Sequence, residues 1–376
     1  MTSRERFLAV LDGRIPDRIP SFELLIDSGF RQAVKPELDF YDFQEAMGFD
    51  MVLFGLGSSD EPIQWEDEAK QIFHDKWGVR QQFTGEMMPS IIDQAPRIGA
   101  LKDLTRYRPP DPAHPAIINQ VRNVVRRFKG KMALGFLGEA TFAVQQYLRG
   151  GLEQLMIDYA LGEELPRRIA DMAADYYCEL YRNVIRAGVE IIVLGDDYAG
   201  KNGPFMSPNH FQEYVYPGLK RVVQTCKQAG AHVIKHSDGD LRKLLDMIVD
   251  TGVDAIGPLE PLPTTRLDRI KAAYPQVTVV GNIDVALLST GTVAQVREQT
   301  KQCIAAAAPD GRFILSSGNS IASSVRPELY QAMVEIKEKY GDYPIRGQRV
   351  RHQRSRSERD KLAPPQAGSE ATPGAW

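Results

Sequence analysis

From residue 117 onward, short apolar runs alternate with longer segments in which apolar residues recur every three or four positions. Alternation of this kind specifies parallel strands joined by right-handed helical crossovers. Helix 117–128 leads to strand 132–136, helical region 151–187 to strand 190–194, and helix 208–229 to the strand that starts at His232. Helix 241–251 then precedes strand 253–256, helix 265–274 precedes strand 277–280, and helix 293–308 precedes strand 313–315. A last helix, 327–340, closes the globule. Upstream, 2–13 reads as a helix stopped by Gly13, 19–25 as a first strand, 41–47 as a helix and 50–56 as a second strand. About eight strand candidates favour a closed α/β barrel, a (β/α)8 TIM barrel, over an open sheet. No GxGxxG turn follows the first strand, which argues against a dinucleotide fold.

Residues 62–93 break the rhythm. Trp65, Phe73, Trp77 and Phe83 alternate there with charged residues, punctuated by Gly78 and Gly85, so an N-terminal hairpin excursion is expected. The barrel is expected to occupy residues 1–345. The tail 346–376 is basic and then rich in Pro, Ser and Gly, and its composition predicts disorder. Hydrophobic residues make up 43% of the 376 and charged ones 25%, enough for a sizeable core. A net charge of −3 gives no electrostatic case for nucleic acid. Cys178, Cys226 and Cys303 form no CxxC pair, and no apolar run approaches the roughly 20 residues a membrane span needs. The amphipathic start carries acids and bases, unlike a signal peptide, so a cytoplasmic location is expected.

Ligands of such barrels gather at the carboxyl ends of the strands. The stretch from His232 rises through Val233 and Ile234 to Lys235 and His236 and stops at Ser237-Asp238-Gly239. An imidazole beside a carboxylate can bind a metal, relay a proton or hold a polar ligand. Other strands end similarly, in Glu139, Asp196, Asp197, Glu260, Asn282, Asp284 and Asn319, with Tyr198 just after the aspartate pair. Each alone could be a turn former or helix cap. Arriving at one mouth together they read as a site, and its acids would raise one another's pKa or be neutralised by a metal. His232, at the start of its strand, is expected to be structural.

The order of blocks adds to this reading: PDRIP near the start, WGV at 77–79, GDDYAG at 195–200, SPNHFQEYVYPGLK after it, then HSDG, GNID and ILSSGNSI. Together they resemble the uroporphyrinogen decarboxylase superfamily, which includes methylcobalamin:coenzyme M methyltransferases, over residues 2–344. The resemblance implies a TIM barrel. It departs from the decarboxylases where Arg31-Gln32-Ala33 lacks the Gly-Arg of their RQAGR motif, and where Asn319 replaces a histidine. Asp196 is the counterpart of their aspartate in FDSWAG. It departs from the methyltransferases where His236-Ser237-Asp238 and Asn319 replace a zinc site of His-x-Cys and a distant Cys. Oxygen donors make that site harder.

The resemblance implies methyl transfer as the leading activity, with a small methylated substrate demethylated onto a corrinoid carried by a partner protein. Asp196, His236 and Asp238 are the expected catalytic residues, with His236 and Asp238 as ligands of a divalent metal. Glu139, Asp197, Tyr198, Glu260, Asn282 and Asn319 are expected to meet substrate. The alternative is a divergent decarboxylase, needing no cofactor, in which Asp196 stabilises a cationic intermediate. A third reading is a barrel that binds a tetrapyrrole or other small molecule without turning it over. A homodimer is left open.

Overall fold

A computed structural model describes residues 1–56, 63–85, 88–93 and 95–345. Among these, seven parallel strands form one sheet in chain order: β1 (Met51–Gly55), β2 (Ala133–Gly138), β3 (Ile191–Leu194), β4 (His232–Lys235), β5 (Ala255–Leu259), β6 (Thr278–Gly281) and β7 (Phe313–Ile314). The strands are largely apolar because both faces are buried. Met51, Leu53, Ile191, Val193, Ile234 and Val280 belong to one apolar cluster, and the intervening Val52, Phe54, Ile192, Leu194, Val233 and Val279 to another that includes the flanking helices.

Helix Ser3–Leu11 seals the amino-terminal rim. A capping box fixes its start, with the Glu5 amide donating to Thr2 Oγ1 and the Thr2 amide to Glu5 Oε2. Its Phe7 and Val10 join the first cluster, and Val10 O accepts from Thr278 Oγ1 at the foot of β6. His232, at the foot of β4, lies 3.3 Å from Asp12 on the same rim. Arg6 is buried against Asp50, whose other oxygen accepts the Ser21 amide.

The eighth regular strand expected at 19–25 does not form; that segment makes isolated bridges only. Ser21 bridges Leu315 and Ile26 bridges Ile321, both in parallel sense, while the Asp50 amide donates to Ser21 O and the Leu315 amide to Pro20 O. The segment therefore touches both edges of the sheet. Pro16 and Pro20 lack the N–H groups a continuous ladder requires. The expected helices 151–187 and 208–229 are each divided: Gly162, left-handed at φ 70°, separates Leu152–Leu161 from Leu165–Arg186, and Val215 separates Pro208–Tyr214 from Tyr216–Gln228. The excursion is an antiparallel sheet of Gln64–Asp67, Ile72–His74, Arg80–Gln82 and Ser90–Ile91. The tail 346–376 lies outside the described residues. Among those described, no helix is long and apolar enough to cross a membrane.

Candidate functional site

Strand β4 carries its chain to the carboxyl rim with a charge inside it. Lys235 is wholly buried; its ammonium donates to Asp196 O at 2.6 Å and lies 4.1 Å above the Tyr198 ring. Burial pulls its pKa down to about 8. The His236 amide still pairs with Leu194 O, and the chain then turns. Both neighbouring strand ends shape that turn. The Asp238 amide donates to Asp197 Oδ1, beyond β3, and the Gly239 amide to Glu260 Oε1, beyond β5. Only glycine fits at 239: φ is +80° and a Cβ would stand 2.4 Å from Gly200 O.

His236 is 3% exposed and its ring is fixed from both sides. Nδ1 lies 3.0 Å from Pro258 O, a carbonyl that can only accept, so Nδ1 carries the hydrogen. Nε2 then faces Asp238 Oδ1 at 3.3 Å and Asp197 Oδ1 at 3.7 Å. A neutral imidazole would bring a lone pair against two carboxylates, so this corner calls for a shared proton or a metal ion; burial pushes the Asp197 carboxyl upward, against the pull of His236. The three donor atoms all lie within 4.8 Å of one another. Donors around one tetrahedral ion at about 2.1 Å sit roughly 3.4 Å apart, and the two separations from Nε2, 3.3 and 3.7 Å, bracket that spacing. The hydrogen bond at Nδ1 is the outer contact that metal-ligating histidines make. One nitrogen and two oxygens suit a borderline or hard cation. Asn319 Nδ2 donates to Asp238 Oδ1 at 2.8 Å. Desolvation pushes the Asp238 carboxyl upward, but His236 and Asn319 outweigh it and hold it below the usual range.

The remaining expected residues divide. Asp196 does not face this cluster: its carboxylate accepts the amides of Ala140, Thr141 and Phe142 and anchors the start of helix Phe142–Leu148. Tyr198 is buried, edge-on to Phe142 and Phe211. Asn282 is held by Thr265 O and by the Cys303 thiol, and Asp284 caps helix Val285–Thr290. Glu139 lines a separate cavity of about 320 Å³ beside Tyr147 and Tyr177, whose hydroxyls donate to its two oxygens at 2.5 and 2.6 Å. Burial pushes the Glu139 carboxyl upward, against the pull of Lys76.

Glu23 escaped the sequence reading. It is 2% exposed and accepts from Ser316 Oγ, the Ser317 amide and hydroxyl, and the Tyr330 hydroxyl. The one hydrogen of the Ser317 hydroxyl is within reach of both Glu23 Oε2 and Asn319 O, so Glu23 stands behind the segment that carries Asn319 to Asp238. The signal was a single acid within the apolar run 19–25, as Lys235 is a single base within β4.

Residues 76–340 match the family model described as Uroporphyrinogen decarboxylase (URO-D). The chain is similar to uroporphyrinogen decarboxylase of Myxococcus xanthus, 25% identical over 249 residues, covering 64% of this chain and 68% of the relative. It is also similar to the methylcobamide:CoM methyltransferase MtbA of Methanosarcina mazei, 27% identical over 203 residues, covering 53% and 56%. Among solved structures, a methyltransferase from Methanosarcina mazei shares the fold, with a TM-score of 0.69 at 17% identity over 90% of this chain and 99% of that one.

Proposed function

The chain belongs to the uroporphyrinogen decarboxylase family, and from that premise we propose that it is a methyl-transferring enzyme that demethylates a small substrate onto a corrinoid-carrying partner protein. We read residues 19–26 as the eighth stave of its (β/α)8 barrel, because they join both edges of the sheet. The observation that carries the proposal is the corner of Asp197, His236 and Asp238, where one imidazole nitrogen meets two carboxylate oxygens at the carboxyl rim. Those three residues would hold a divalent ion, which supplies Lewis-acid polarisation of the heteroatom that leaves, while the partner's corrinoid supplies the methyl acceptor.

The chain's own residues do the rest. Pro258 O keeps the His236 hydrogen on Nδ1 and aims Nε2 at the carboxylates. Asn319 holds Asp238 Oδ1, and Asp197 and Glu260 fix the turn through its backbone amides. Asp196 acts as a positioning residue, since it locks the ends of β2 and β3 together. The methyltransferase among the relatives supports methyl transfer. Decarboxylation of a substrate with many carboxylates would need several cations. Among the described residues lining the cavity, Lys76 is the one lysine or arginine, facing Asp75 and Glu139.

The test is to mix the protein with a reduced corrinoid and candidate methyl donors and follow the visible spectrum for a methylated corrinoid. Methylation that disappears in His236→Ala supports the proposal. Release of CO2 from a porphyrinogen with no corrinoid present would sink it.

A further inference from the structure

Strand β4 places one charge where an apolar residue would serve. Val233 joins the cluster that includes the flanking helices and Ile234 the other, so by the strand's period of two Lys235 leaves on the helix-facing side, wholly buried. Burying an ammonium is costly, and an apolar side chain of similar volume in place of a buried charge is often neutral or stabilising. Stability alone does not explain a lysine here.

The contacts of the ammonium point to the corner. It donates to Asp196 O at 2.6 Å, to His236 O and, at 3.5 Å, to Leu194 O. The first carbonyl belongs to the peptide that leads into Asp197, and the second to the peptide that leaves His236. Those two proposed ligands stand beyond different strands, β3 and β4, and their side chains meet at 3.7 Å. The ladder between β3 and β4 ends with the His236 amide on Leu194 O, and the ammonium ties the two chains together at that point. The Tyr198 ring, 4.1 Å away, seats it from another side.

We infer that Lys235 is a positioning residue for the corner: its ammonium fixes the peptides beside Asp197 and His236 and so sets the spacing of their side chains. This rests on the metal reading proposed above. Charge and position act in opposite directions, which makes the role measurable. The carboxylates of Asp196, Asp197 and Asp238 all favour the ammonium, so it stands in the field that would attract a divalent cation. Replacing it by a neutral group removes a repelling charge and, on charge alone, would tighten such an ion. A loss of affinity therefore reports lost position.

The experiment uses the full chain, as wild type and Lys235→Met, with Co2+ alone as the probe. Affinity is measured by competition with a metal indicator, and the coordination shell by the visible bands of bound Co2+. Lys235→Met is expected to bind at least about tenfold more weakly, as when other outer contacts of metal ligands are removed, and with shifted bands. Crystal structures of the two, free of metal, should differ by about 0.5 Å or more in the separation of Asp197 Oδ1 from His236 Nε2. Lys235→Gln, which keeps an N–H donor on a shorter stem, should fall between them in affinity. It carries the same comparison if Lys235→Met does not fold. A lysine that merely stabilised the fold would lower the urea midpoint and leave the affinity and bands of the folded protein as they were. Unchanged affinity, tighter binding or an unchanged separation overturns the inference. If wild type binds no Co2+, the metal reading falls, and the separation in the crystals alone decides whether Lys235 sets the corner.

Discussion

The carboxamide of Asn319 donates to Asp238 Oδ1 at 2.8 Å, across 81 residues of chain. It thereby holds the very oxygen that faces His236 Nε2. Outer contacts of this kind typically change metal affinity about 10- to 100-fold when removed. Asn319→Ala is therefore expected to weaken binding of a divalent ion by that factor, as measured by competition with a metal indicator. Affinity unchanged within about twofold would show that Asp238 needs no such support.

Carefully purified protein should hold about one divalent ion per chain. His236→Ala should lose it and keep its fold, because the side chain ends a strand and does not fill either apolar cluster. Elemental analysis after mild chelation, paired with circular dichroism, makes the comparison. Near-zero metal in both proteins, with substrate binding lost only in the variant, would leave His236 a hydrogen-bonding or proton-transfer residue.

Asp196→Ala should act chiefly on stability. It strips three buried amides of their acceptor at the start of a helix, a loss of roughly 2–4 kcal/mol from capping and desolvation combined. Urea unfolding would reveal it, and Asp196→Asn should lose less. A drop below about 1 kcal/mol would mean that water replaces the carboxylate.

Glu23 predicts a pH dependence. Burial raises its carboxyl from 4.5 to about 7, against hydrogen bonds that lower it. The folded form thus holds a proton that the unfolded chain releases near 4.5. The resulting stabilisation is complete below pH 4.5 and disappears as pH rises to about 7. At about 1.4 kcal/mol per unit, it amounts to about 3.5 kcal/mol at most. Glu23→Gln should flatten the slope between pH 4.5 and 7 in urea titrations. An identical slope in the variant would assign the dependence to other groups.

The sequence disclosed the parallel strands well, because staves buried on both faces are mostly apolar and their crossovers keep a helical period. The segment 19–26 was harder: its prolines leave the ladder in fragments, and its place is set by partners at Asp50 and Leu315. At the site, His236, Asp238, Asp197 and Asn319 were legible as polar endings of apolar runs. Asn282 looked the same in sequence, yet it is spent on Thr265 and Cys303 after Gly281 leaves the strand at φ +119°. Glu23 and Lys235 stayed hidden for the opposite reason. A lone charge in an apolar run says that something must satisfy it, but not what, and Glu23 finds its partner at Ser317.

That partner lies 294 residues further along the chain. A ribosome adding roughly 5–20 residues per second would take about 15–60 seconds to travel from one to the other. Throughout that interval the Glu23 carboxylate is hydrated and ionised, as any glutamate in water at neutral pH would be. The contact that backs the Asn319 segment therefore cannot form until Ser317 has been made. The support behind Asn319 is thus completed late, by the joining of an early acid to a late pair of serines.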